Sequence, residues 1–174
     1  MVDEKEIEMI VTFTGSYRVH VSDRSFEQIV SAIEAATGTV ENEVFDRELQ
    51  EATTPDDFER RMRSHESKSG FMRFHTIDHG AWLAALGSSG KTKMYTIGNP
   101  LIARTMIKYD LGVGLNVPVR IAVYEDATTG KACVAYTLPS SLMSALDNQQ
   151  VSEAAKGLDA KLVALAEAVS VTAA

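Results

Sequence analysis

Two runs of strand-forming residues, Val117-Pro118-Val119-Arg120-Ile121-Ala122-Val123-Tyr124 and Lys131-Ala132-Cys133-Val134-Ala135-Tyr136-Thr137, flank a polar turn from Asp126 to Gly130. No other feature restricts the fold as much. β-branched and aromatic side chains suit a pleated, half-buried surface, and so short a connection returns the second run antiparallel to the first. Such a hairpin has to bury at least one face, and helices able to cover it stand on both sides. Upstream, Ser25 followed three residues later by Gln28 is a capping-box pattern; Phe26, Ile29, Val30 and Ile33 share one helical face, and Gly38 is the expected C′ stop. Downstream, Ser140 to Leu146 reads as a short helix, and Leu158, Leu162, Leu165 and Val169 mark one face of a longer helix at about 151–170.

Between these helices strands and helices alternate. Val11-Thr12-Phe13-Thr14 and Tyr17-Arg18-Val19-His20-Val21, broken at Gly15-Ser16, predict one bent strand or a hairpin. Phe71 to Ile77 predicts a strand, after which Asp78 caps a short helix carrying Trp82, Leu83 and Leu86 and ending at Gly87. Lys93 to Gly98 is the next strand. Asn99 then caps a helix that has Pro100 at its first position and runs to about Lys108, before a loop at Gly112 and Gly114. The acidic stretch 40–69 includes the helix start Thr54-Pro55-Asp56-Asp57 and predicts one or two exposed helices with a solvated charged face. The expected fold class is α+β, a mostly antiparallel sheet with helices on one face. At 174 residues, with 45% apolar and 24% charged, the chain fits a single domain over 1–174 with a real core.

The formal charge of −7, from 24 acids and 17 bases, argues against nucleic acid as a partner, because phosphate binding needs a clustered basic surface. Residues 1–70 carry 16 acids and 8 bases, whereas 71–174 carry 8 and 9, so the acidity belongs to the first part. No apolar run reaches the roughly 20 residues that cross a bilayer, and Met1 to Glu6 is the reverse of a basic, then apolar, leader. A cytoplasmic location is the default expectation, with no membrane partner. Cys133 is the sole cysteine, so no disulfide forms within the chain and no thiolate cluster holds a metal.

Five segments in order carry a resemblance: Ile77-Asp78-His79-Gly80-Ala81; Tyr95-Thr96-Ile97-Gly98-Asn99-Pro100; Asn116-Val117-Pro118-Val119; Val123-Tyr124-Glu125-Asp126; and Val134-Ala135-Tyr136. Together they resemble the domain-of-unknown-function family 302, with its "IDH", "FGNP", "LP", "YEDxxG" and "VSY" segments, over about Asp23 to Leu142. Isoleucine stands at position 97 where that family usually has phenylalanine, and 40–69 looks like an insertion. The resemblance implies a two-layer α/β sandwich of the TATA-binding-protein-like kind, often dimeric, with no agreed activity. A homodimer is therefore expected, through a free strand edge in the 117–136 hairpin and the apolar face of the last helix.

Two motif-like segments do not carry their usual chemistry. Ala85 to Thr92 fits a permissive phosphate-loop pattern, but the loop follows a helix and precedes a strand, the reverse of the order that aims amides at phosphate. His75 and His79 have helical zinc spacing, yet the helix starts only at Asp78 and no third ligand is evident, so no metal site is assigned. The catalytic candidates are His79, an acid or base at a helix start, and Asn99, whose amide can face an oxyanion. Tyr124, Tyr136 and Trp82 are the ligand-binding candidates. Each has a structural competitor: Asn99 as an N-cap, the tyrosines as strand packers, His79 as a hydrogen-bonded partly buried residue. The leading expectation is a binding module for an apolar or aromatic organic small molecule. The alternative is a cofactor-independent isomerase, lyase or cyclase using His79. Neither requires a cofactor.

Overall fold

The computed structural model describes residues 8–171, so the reading of Met1 to Glu6 lies outside the described residues. The elements are β1 (Tyr17–Ser22), α1 (Phe26–Ala36), β2 (Gly38–Thr39), α2 (Val44–Glu51), α3 (Pro55–Ser64), β3 (Met72–Asp78), α4 (His79–Ala85), β4 (Thr92–Gly98), α5 (Pro100–Ile107), β5 (Val119–Glu125), β6 (Ala132–Thr137), α6 (Pro139–Met143) and α7 (Gln149–Ser170). One six-stranded sheet runs β1-β6-β5-β4-β3-β2 and is antiparallel throughout except where β2 meets β3. The class is α+β, as the sequence predicts.

The β5–β6 hairpin has Val123 opposite Val134 and Tyr124 opposite Cys133. Its turn is tied by Asp126, whose Oδ1 accepts the Thr128 and Thr129 amides at 3.1 and 2.8 Å. Alternation along β5 buries Val119, Ile121 and Val123, while Arg120 between them stays exposed. Those three pack with Ile29 and Ile33 of α1 and with Val151, Ala155, Leu158, Leu162, Leu165, Ala166 and Val169 of α7. Each fully buried valine, leucine or isoleucine of this layer stabilises the fold by about 1.5–3 kcal/mol. The α1 capping box is complete: Gln28 N donates to Ser25 Oγ at 3.2 Å and Ser25 N to Gln28 Oε1 at 2.8 Å. Thr54, Asp78 and Asn99 cap α3, α4 and α5.

Four expectations are corrected. Residues 11–14 form no strand: β1 begins only at Tyr17, because its neighbour β6 ends at Thr137 and Pro139 opens α6, leaving nothing to pair with. The hairpin offers no free edge, since both its strands are interior; the outer strands are β1 and β2. The apolar face of α7 is likewise taken up by the main core. Gly38 follows α1 not in a left-handed turn but as extended strand, and the absence of a side chain there serves closeness, as a Cβ would lie 1.6 Å from the His65 carbonyl oxygen. The loop at Gly112 and Gly114 is, in agreement with its glycines, a turn: a 3₁₀ turn, Leu111–Leu115, capped by Asp110.

The acidic stretch folds as α2 and α3. Its charges are not simply solvated. Arg61 Nη1 donates to Glu48 Oε2 at 2.8 Å and Glu51 Oε2 at 2.9 Å, Arg61 Nε reaches Asp57 Oδ1 at 3.3 Å, and His65 Nε2 lies 2.9 Å from Glu48 Oε1. Beneath this lattice Met62 joins Val40 and Met72 in a second small core, with Val44, Phe45, Phe58, Phe74 and Leu101 around it. Along β3, Met72 and Phe74 turn to that cluster, while Arg73 between them donates to the carbonyls of Glu34 and Thr37 at α1. Among the described residues, no helix is long and apolar enough to cross a membrane.

Candidate functional site

Where β4 hands over to α5, the second cluster stops short of filling space and leaves a cavity of about 650 Å³. Four parts of the chain line it, leaving one side open to solvent. Phe45 comes from α2 and Phe74 from β3, their rings edge to face at 5.1 Å. Val117 and Pro118 precede β5. Pro100, Ala103, Arg104 and Ile107 come from α5, Lys108 from its C-cap, and Tyr109, Asp110 and Leu111 from the segment after it. The α5 and C-cap residues fall at steps of three, one, three and one, a single helical face; Met106, on another face, is buried in the main core. Gly98 allows close approach here: a Cβ would lie 3.0 Å from Pro118 Cβ, tight enough to press on that ring, and 3.5 Å from the Phe74 ring.

The lining is mostly hydrocarbon, with its polar groups at identifiable places. Asn99 is 6% exposed and fully engaged: its Oδ1 accepts the Leu101 amide at 2.9 Å, and its Nδ2 donates to Glu66 Oε1 at 2.7 Å and the Gly70 carbonyl at 2.9 Å. That geometry makes it a rivet between α5 and the 66–70 loop and leaves no amide hydrogen for an oxyanion. Asp110 Oδ1 accepts the Gly112 amide at 2.8 Å. Arg104 is exposed, and Lys108 holds its ammonium 4.7 Å from the Tyr109 ring centre.

The outer wall depends on the α2–α3 ion lattice. Hydrogen bonds from His65 and then Arg61 hold the Glu48 carboxyl below the usual carboxylate range. The Thr53 amide, followed by the charges of Arg61 and Arg60, does the same for Asp57. Both are therefore ionised at neutral pH, and the lattice fixes α2 so that Phe45 stays against Phe74.

The other candidates lie elsewhere. His79 and Trp82 are together, with Trp82 Nε1 donating to His79 Nδ1 at 3.0 Å. They stand beyond the far end of β3, where Asp78 pairs with Lys93, whereas the cavity is at the end where Met72 pairs with Gly98. Six residues of strand separate the two ends by roughly 20 Å. Tyr124 sits opposite Cys133, partly exposed. Tyr136, three residues from Cys133, projects to the other side and is 2% exposed in the main core, stacked on His20 with its hydroxyl 3.1 Å from His20 Nε2. Burial raises the pKa of both phenols. Of the five residues, only Asn99 borders the cavity.

The 85–92 segment is the C-terminal end of α4, an exposed loop and the start of β4, and its Lys91 donates to Glu27 at 2.7 Å. Among the described residues, no three histidine, cysteine or acidic side chains are grouped to hold a metal. Sequence reasoning missed Phe45, Phe74, Ala103 and Pro118. The one available signal was the α5 face itself, apolar at 100, 103 and 107 and cationic at 104 and 108.

A mostly antiparallel six-stranded sheet packed against helices defines an α+β sandwich. The family model described as "Domain of unknown function DUF302" matches residues 45–169, from the pocket phenylalanine on α2 to the last core residue of α7. The chain belongs to that family. Its fold is similar to that of the uncharacterized conserved protein DUF302 from Bacillus stearothermophilus, a crystal structure, with a TM-score of 0.64 over 88% of this chain and 97% of the other. Identity between the two is 15%, so the likeness is one of fold. No curated protein matches this chain.

Proposed function

We propose that this protein is a binding module for an apolar or aromatic organic small molecule, held in the cavity between α5, Phe45, Phe74 and Pro118. The supporting observation is the cavity: about 650 Å³, inside the range of ligand sites, and walled mainly by hydrocarbon. Among the described residues no buried side-chain nitrogen or oxygen lacks a partner, so the space does not exist to hydrate a stranded polar group. The test is titration with the neutral fluorophore N-phenyl-1-naphthylamine. Wild-type protein should enhance and blue-shift its emission, and Ala103→Trp should remove the effect while changing stability by no more than about 1 kcal/mol, because the new ring enters empty space. Equal response from both proteins would overturn the proposal.

The rival reading, a cofactor-independent isomerase, lyase or cyclase with His79 as acid or base, draws on the His79–Trp82 pair. That pair is not part of the cavity wall, so binding takes precedence.

The protein is also proposed to act as a homodimer joined through β1. This outer strand leaves one edge unpaired and exposes Tyr17, Val19 and Val21 on one side, with Tyr17 and Val21 above 60%. Such an unguarded edge invites another strand, and a two-fold axis sets β1 antiparallel to its own copy. Light scattering at micromolar concentration should give twice the chain mass, falling to a monomer in Val19→Lys/Val21→Lys; a strict wild-type monomer would sink the dimer. The buried thiol of Cys133 suits a reducing compartment, and the cytoplasm is the proposed location.

A further inference from the structure

We infer that the cavity's ligand is an amphiphile with an anionic head, an apolar chain or ring system ending in a carboxylate-like group. This deepens the binding-module reading and rests on it. The α5 face that lines the cavity carries two cations one turn apart, Arg104 and Lys108. Both are exposed, at the mouth rather than among the buried hydrocarbon.

Among the described residues neither cation has an ion-pair partner nearer than 3.8 Å. Arg104 has one acidic neighbour, Glu59 Oε2 at 3.8 Å, and that carboxylate already accepts from Arg63 at 2.7 Å. Lys108 makes no ion pair among the described residues and rests on the Tyr109 ring. The single acid in the lining, Asp110, is turned to the Gly112 amide. The residues lining the cavity therefore carry two positive charges to one negative in a protein of formal charge −7. Both cations also sit in the last turn and C-cap of α5, where they offset the helix dipole. Dipole compensation alone does not require them on the cavity side; a head group at the rim of an apolar hole does. An ammonium head would be repelled, and a neutral one would gain nothing from the pair.

The experiment compares decanoate, decanol and decyltrimethylammonium by calorimetric titration or displacement of the neutral fluorophore, each below its micelle concentration. Wild-type protein should bind decanoate roughly five- to tenfold more tightly than decanol, with the ammonium weakest, and the preference should shrink as salt rises. Arg104→Gln/Lys108→Gln should bring decanoate down to decanol while leaving decanol unchanged, and Arg104→Lys should retain the preference. Decanol binding as tightly as decanoate in wild-type protein, or a preference that survives the double substitution, overturns the anionic head but leaves the apolar pocket standing. A double variant that melts lower yet keeps the preference assigns the cations to the helix dipole alone and overturns the inference. No binding of any of the three, with no fluorophore response, overturns the pocket and the inference together.

Discussion

The two apolar clusters of this protein are built from the same kinds of side chain and held in different ways. The main core lies between β4, β5 and β6 and the helices α1, α5 and α7, and its members, from Ile29 to Val169, are excluded from water by elements far apart in the chain. The second has Val40, Met62 and Met72 at its centre, a ring of partly buried phenylalanines, and a roof of ion pairs centred on Arg61. One is closed by hydrophobic packing from both sides, the other by charges over a thin apolar layer. The difference teaches where this domain leaves a hole: beside the smaller cluster, whose outer wall is α2 with its ion pairs, and not inside the larger one.

The strongest way to break the comparison is at the joint between the clusters. Gly38→Ala places a methyl group where the His65 carbonyl already is, and β2 with the chain leaving α3 has to move. Urea denaturation should show a loss of about 3 kcal/mol or more. A variant within about 1 kcal/mol of wild type would mean that the 65–70 loop yields without cost.

Next come matched truncations. Leu162→Ala in the main core should lower global stability by about 2–5 kcal/mol. Met62→Ala removes a side chain equally hidden from solvent, but its effect should be concentrated in residues 41–66, read as faster amide exchange there with the β4–β6 amides still protected. Equal loss of protection everywhere would show the two clusters to be one cooperative unit.

The smallest effect is electrostatic. The carboxyls of Glu48 and Asp57 titrate below their ordinary range in the folded protein, so their contribution is present in full above the unfolded value of about 4. It is lost as pH falls through the depressed folded values. Acidification from pH 6 towards pH 3 should therefore release α2–α3 before the main core, seen as exchange in 41–66 together with loss of fluorophore binding. Release at the same pH as global unfolding would deny the lattice its separate role.

How much of this was legible depended on the range of the interaction. The capping box of Ser25 and Gln28, the caps at Thr54, Asp78 and Asn99, the β5–β6 hairpin and the apolar stripe of α7 all came from residues within a few positions of one another. Their chemistry is local: a side-chain oxygen reaches an amide three residues on, and a helix repeats its face every three to four residues. Resemblance in a handful of short segments was enough for the family. What tertiary structure decided was everything that depends on which distant residues meet. It put β1 rather than the hairpin at the sheet edge, made Gly38 a point of close approach, and set His79 and Asn99 at opposite ends of the β3–β4 pair. It also assembled a cavity from Phe45, Phe74, Ala103 and Pro118. A cavity is the space that separate segments fail to fill, and no propensity of any one segment encodes it.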